Sequence, residues 1–161
     1  PPGDAVRIWD AILAEGAEPC GLAARDTLRL EMGYPLHGSD IDQRTTPREA
    51  GLGWAVAKAK SEYLGKEAYE SHPPRKQITG ILMKDKVIPR HDARVLLGTR
   101  PIGTVTSGTF SPTLRIGIAL AYVEPGSVSE GDDVNVEIRS KVGNGVVKKP
   151  PFVGSDPRSE G

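Results

Sequence analysis

In the stretch CGLAARDTLRLEMGYPLHGSDI, Cys20 to Ile41, two arginines stand four residues apart, Arg25 and Arg29, with Asp26 and Glu31 beside them and a glycine on either side. On a helix this spacing places both guanidinium groups on one face, one turn apart, where like charges repel by a few tenths of a kcal/mol. A purely solvated face would alternate signs. A guanidinium is a planar fork of donors matched to carboxylates and other oxygen acceptors. At least one of the two arginines is therefore expected to serve a partner, either within the fold or in a ligand.

The other reactive side chains form no constellation. His37, His72 and His91 are scattered at loop-like positions, and one cysteine cannot build a structural zinc site, so no metal is expected. Ser107 and Ser111 in VTSGTFSP lie in no G-x-S-x-G elbow and are read as hydroxyls that satisfy a tight connection between strands. Cys20 is the only cysteine, which excludes an internal disulfide and fits a reducing compartment, cytoplasm or mitochondrial matrix. It is expected to be a small buried hydrophobe. No G-x-G-x-x-G or Walker-type phosphate loop occurs.

The 161 residues carry 21 Lys and Arg against 21 Asp and Glu, so no net field favours nucleic acid or an anionic membrane. No apolar run approaches the roughly 18 residues of a membrane span. The chain opens on PPGDAVRIWDAILAEG rather than on methionine, and is expected to begin inside a longer protein.

Two compositions follow one another. From Asp4 to about Ser71 the pattern is helical. Asp4 is placed to cap a first helix with Val6, Trp9 and Leu13 in an apolar row beside Ile8 and Ile12, and Gly16 to close it. A second helix runs from Leu22 to Met32 and ends at Gly33. Thr46 with Glu49, and Pro47 between them, form a capping box that opens a third, and GKEAYESH supplies a last short one. After Pro73 and Pro74 come strands: QITGILM, ARVLLG, PIGTVTSG, IGIALAYV and DVNVEIRS, rich in β-branched residues and bounded by Gly, Pro, Asp and Ser. Val134, Val136 and Ile138 alternate with polar neighbours and are expected to face inward. The fold class is therefore α+β. Residues 1–72 form the helical part with its connector, 73–153 a small antiparallel β-barrel, and 154–161 a mobile tail.

Five motifs in order, PCGLAARDTLRLEMGYPLHGSDID, TTPREAGLGWAV, YLGKEA, GTVTSGTFSPTLRIGIALAYV and KPPFV, resemble the C-terminal half of the aminomethyltransferase, or T protein, of the glycine cleavage system. The resemblance covers nearly the whole chain. It implies three domains around a hole that holds tetrahydrofolate, of which residues 1–72 end the second, folate-binding α+β domain and 73–153 form the terminal barrel. It also implies transfer of the one-carbon unit from the aminomethyl-lipoyl H protein to tetrahydrofolate, with release of ammonia.

No metal enters that reaction, and the expected partners are the H protein and folate, with the protein a monomer. The family's catalytic aspartate and its folate-binding glutamate lie upstream of Pro1, so no catalytic residue is assigned and the chain alone is expected to be inactive.

Three residues carry over as folate-side candidates. Arg25 matches the family arginine of the folate site, its alternative being a surface or Asp26-paired arginine. Tyr34 matches a family tyrosine placed to stack on the folate, its alternative being packing against Leu36. Arg158 is the third, although PPFVGSDPRSEG departs from the family pattern after Val153. Arg29 and Asp26 are read as structural partners, and Arg90 receives no role.

Two related families remain as alternatives. One is a non-catalytic folate-binding relative in iron–sulfur protein maturation, whose cysteine motif is replaced here by YLGKEAYE. The other is the folate-dependent tail of a dimethylglycine or sarcosine oxidising enzyme.

Overall fold

The computed structural model describes residues 1–57, 59–138 and 141–154. Six strands, β1 (Gln77–Met83), β2 (Arg94–Leu97), β3 (Arg100–Ser111), β4 (Ile116–Val123), β5 (Asp133–Ile138) and β6 (Lys141–Val147), close into an antiparallel barrel in the order β1-β4-β3-β2-β5-β6. Closure leaves no free sheet edge. The α+β fold class and the antiparallel barrel are as the sequence indicates.

The barrel is narrow, and side chains fill it. Ile81, Met83, Val95, Ile102, Val105, Val134, Val136 and Val147 point inward around the small Ala119 and Ala121. Val134 and Val136 are buried as their alternation requires, and Ile138 packs at the margin of the same cluster. The strand that the sequence did not reveal is β6, KVGNGVV, whose glycines argue against a strand on propensity alone. Its glycines are there for space. A Cβ on Gly143 would stand 2.5 Å from Val87 Cγ2, and one on Gly145 2.8 Å from Ile81 Cγ2.

Strand β4 is buried on both faces, which explains its continuous apolar run. Ala119, Ala121 and Val123 face the barrel interior, while Ile118 and Leu120 face outward against Leu30 and Phe152. Leu30 lies on the second of three helices, α1 (Ala5–Ala14), α2 (Leu22–Glu31) and α3 (Lys66–Ser71). The outer face of the barrel is thus the platform on which the N-terminal segment sits.

Helix α2 closes as expected. Gly33 adopts a left-handed conformation (φ 73°), its amide bonds Leu30 O at 2.9 Å and the Tyr34 amide bonds Arg29 O at 2.8 Å, a Schellman ending. A side chain at Gly33 would also strike Pro150. Gly16 is left-handed as well, after α1.

Three local expectations need correction. Asp4 stands at the N-cap of α1, but its side chain makes no capping bond. It ends a 3-10 turn, Pro2–Asp4, and its carboxylate pairs with Arg7 at 3.1 Å. The apolar row of α1 is formed but meets no core, with Val6, Ile8, Trp9 and Ile12 all at least half exposed. The Thr46–Glu49 box opens one helical turn and no helix, because Gly51 turns left-handed (φ 70°) immediately after it. Among the described residues no helix is long and apolar enough to cross a membrane.

Candidate functional site

Arg29 leaves α2 on the side facing the barrel, where only 11% of its side chain is exposed. Its guanidinium bonds Asp26 Oδ1 (Nε, 2.8 Å), Asp40 Oδ2 (Nη1, 2.7 Å), Ser107 Oγ (Nη2, 2.9 Å) and Tyr34 O (3.3 Å). Asp40 is the hub of this clasp. Its buried carboxylate also accepts the Leu36 amide (2.8 Å), the Ser107 hydroxyl (2.8 Å) and the Thr106 hydroxyl.

Two consecutive residues of β3 reach the same carboxylate because the ladder with β4 shifts between Val105 and Ser107. The bulge turns Thr106 and Ser107 to one face. A buried carboxylate is tolerated only with such a set of donors.

A second clasp lies two residues on. Glu31, 4% exposed, accepts the Ser111 hydroxyl, the Thr113 hydroxyl (3.1 Å) and the Thr113 amide (3.3 Å). Ser107 and Ser111 therefore do not sit in a connection between strands. Both belong to the single long strand β3 and bond to carboxylates of the N-terminal segment. Glu49 ties a third point. Burial pushes its carboxyl up, but the amides of Thr46 and Arg75 (both 2.9 Å) outweigh this and hold it below its ordinary 4.5.

These clasps fix one wall of a cleft of about 890 Å³ at the seam of the two parts. Its floor is the outer face of β1 with Leu120. Its walls carry Tyr34, Trp54, Arg48, Lys76 and Lys149. Tyr34 and Trp54 are 61% and 81% exposed, so both rings are open to a ligand. Tyr34 does not pack away as a core residue. The Lys76 ammonium lies 4.1 Å from the centre of the Tyr122 ring and donates to Thr45 Oγ1 at 3.1 Å.

Tyr122 is 8% exposed, and burial pushes its phenol up to about 12. Thr45, which offsets part of that shift, donates its own proton to Asp42 (2.9 Å), and Tyr122 Oη is left with no hydrogen-bond partner among the described residues.

Arg25 is exposed on α2 and is not part of the cleft lining. The structure therefore brings Tyr34 to the cleft and leaves Arg25 at the surface. Arg158 lies outside the described residues. Cys20 is exposed rather than buried. Sequence reasoning missed Asp40, Glu31, Arg48, Lys76 and Trp54. The one signal for Asp40 was the turn sequence HGSDID, in which a carboxylate can bond a preceding amide.

A closed antiparallel barrel with a helical segment clasped to its outer face, and a cleft along the seam, defines an α+β protein with a terminal barrel domain. A family model described as "Glycine cleavage T-protein C-terminal barrel domain" matches residues 76–153, and one described as "GCVT N-terminal domain" matches residues 1–60. The chain belongs to the glycine cleavage T-protein family of aminomethyltransferases.

It is 47% identical to an aminomethyltransferase of Frankia alni over 96% of this chain and 44% of that protein. It is 41% identical to one of Halothermothrix orenii, over 94% and 44%. The crystal structure of glycine cleavage system aminomethyltransferase T from Bartonella henselae superimposes with a TM-score of 0.85 at 36% identity, over 95% of this chain and 45% of that one. The chain thus spans less than half the length of the relatives it matches.

Proposed function

We propose that this chain is the barrel-bearing portion of a tetrahydrofolate-dependent aminomethyltransferase. The whole protein takes the aminomethyl group from the lipoyl arm of the H protein and forms 5,10-methylenetetrahydrofolate. Carbon–nitrogen bonds to folate replace the carbon–sulfur bond to the lipoyl group, ammonia leaves, and the lipoyl sulfur remains as a thiol on the H protein. The observation that carries this reading is the alignment of nearly the full chain with proteins named aminomethyltransferase. Those names favour it over the iron–sulfur maturation and flavoenzyme-tail alternatives.

In this reading residues 1–72 complete a folate-binding domain and 73–153 are the terminal barrel. Arg25 and Tyr34 lie on the folate side, Arg25 as a charge-assisted donor and Tyr34 as a stacking ring. What supports Arg25 is its setting: the same helix is fixed to the barrel further along through Arg29 and Glu31, so the exposed guanidinium is presented from a rigid element. The catalytic acid belongs to the part of the protein that lies upstream.

The test uses the full-length protein with loaded H protein and tetrahydrofolate. Charge-assisted contacts contribute about 1.5–3 kcal/mol, so Arg25→Ala lowers kcat/KM by about ten- to a hundredfold. Arg25→Lys rescues poorly because it lacks the planar fork. Turnover by the 161-residue chain alone, or normal folate affinity in Arg25→Ala, refutes the assignment.

A further inference from the structure

The Tyr34 ring borders the cleft, yet packing does not hold it there, since the residue is 61% exposed. Its place is set by the backbone. Residues 34–37 run between two left-handed glycines, Gly33 (φ 73°) and Gly38 (φ 95°), which permit the turns at either end without stiffening the span.

The span is tied instead to Asp40. Asp40 Oδ2 accepts the Leu36 amide at 2.8 Å and Arg29 Nη1 at 2.7 Å, and the same Nη1 donates to the Tyr34 carbonyl at 3.3 Å. The Asp40 amide returns a bond to the Leu36 carbonyl at 2.8 Å. One carboxylate thus holds the backbone on both sides of Pro35, directly at Leu36 and through Arg29 at Tyr34.

The same carboxylate faces the barrel. The hydroxyls of Thr106 and Ser107 (2.8 Å) donate to it from the bulge of β3, and its side chain is fully buried. The floor of the cleft belongs to that barrel, whereas Asp40 is not among the residues that line it. Asp40 is therefore the joint between an exposed ring and the floor it stands beside.

From this placement we infer that Asp40 is a positioning residue for the acceptor substrate. It acts through the Tyr34 backbone and sets how the ring meets the planar group of a folate, and it leaves the chemical step alone. The inference rests on the folate-side reading of Tyr34 and adds the residue that aims the ring.

Two of the Asp40 bonds separate positioning from stability. The pair with Arg29 draws on the charge, but the Leu36 amide needs only an acceptor oxygen, which asparagine keeps. The asparagine NH2 can face Thr106, whose hydroxyl also reaches the Leu120 carbonyl at 3.3 Å.

The experiment measures KM for tetrahydrofolate, kcat and melting temperature of the full-length protein with loaded H protein. The variants are Tyr34→Ala, Asp40→Ala, Asp40→Asn, and Tyr34→Ala combined with Asp40→Ala. Loss of folded protein lowers the apparent kcat and leaves KM in place, so KM isolates the positioning. Asp40→Ala is expected to raise KM for tetrahydrofolate about tenfold, as Tyr34→Ala does, and to leave KM for the H protein unchanged. Asp40→Asn returns KM to within about twofold of wild type, because the Leu36 bond is restored, yet still melts below it for want of the charge. In the double variant Asp40→Ala adds nothing to the KM of Tyr34→Ala. Should Asp40→Ala not fold, Thr106→Val with Ser107→Ala is read in its place, since it keeps the carboxylate and cuts its hold on β3.

If Tyr34→Ala raises KM while Asp40→Ala changes only kcat or melting temperature, the inference is overturned and the folate-side reading of Tyr34 stands. If Tyr34→Ala leaves KM unchanged, that reading falls and the inference with it. Additive effects on KM in the double variant, or an Asp40→Asn as impaired in KM as Asp40→Ala, also overturn the inference.

Discussion

Replacing Arg29 with alanine removes four hydrogen-bonded partners at once and leaves the Asp40 carboxylate, whose side chain is fully buried, without the cation that pairs with it among the described residues. The Leu36 amide and the hydroxyls of Thr106 and Ser107 remain, so the charge stays solvated by dipoles but is no longer compensated. Breaking one side of a buried pair costs about 3–5 kcal/mol. For a chain of this size each kcal/mol shifts Tm by about 2–4 °C, so Arg29→Ala is expected to melt about 6–20 °C lower.

Urea titration followed by circular dichroism gives the free energy directly. The double variant Arg29→Ala with Asp40→Ala supplies the coupling, because deleting both partners removes the orphaned charge and should cost less than the sum of the single changes. Arg25→Ala, at an exposed position, should stay within about 0.5 kcal/mol of wild type. If Arg29→Ala were as stable as wild type while Arg25→Ala unfolded the chain, the roles assigned to the two arginines would be reversed.

Tyr122→Phe keeps the ring under Lys76 and deletes a buried hydroxyl without a partner, whose desolvation costs about 1–3 kcal/mol, so Tm should rise or hold; a fall of several degrees refutes the orphan. Glu49 has a depressed carboxyl in the fold, so its stabilisation is present above its unfolded value of 4.5 and is lost as pH falls below that through its folded value. Melting from pH 7 to 3 should therefore show a shallower acid decline for Glu49→Gln than for wild type, and parallel curves would refute it. Gly108→Ala places a Cβ 2.5 Å from the Pro89 carbonyl oxygen, which a side-chain shift cannot relieve, and should lower stability by about 1–3 kcal/mol in urea titration.

The elements that the sequence made legible are those whose local pattern agrees with their surroundings. β5 alternates because one face is wet, β4 is apolar throughout because the helical segment covers its outside, and α2 ends where Gly33 can turn left-handed. β6 was hidden because the barrel interior selects against Cβ atoms at Gly143 and Gly145, and this steric demand opposes strand propensity. The clasps were hidden for a different reason. Asp40 and Ser107 are 67 residues apart, and nothing local marks a carboxylate as buried when its donors come from a bulge in a distant strand. The capping box shows the same limit, since Glu49 both closes its own turn and accepts the Arg75 amide 26 residues away.

The two arginines of α2 connect this structural account to function. Their repulsion would be a cost if both charges were bare, but Arg29 is neutralised by Asp26 and Asp40, each at 2.7 Å. Among the described residues Arg25 has no such partner, and it is the exposed one of the two. Asp40, which helps to neutralise Arg29, also accepts from Ser107 of β3, and Arg29 itself donates to Ser107, so the helix that carries Arg25 is held at both Arg29 and Glu31 while Arg25 takes no part in those bonds. A donor mounted in this way loses little conformational freedom on meeting an acceptor, which is the condition under which a single charge-assisted contact contributes most to binding. The pairing that stabilises the fold is in this respect also what prepares the arginine proposed for the folate side.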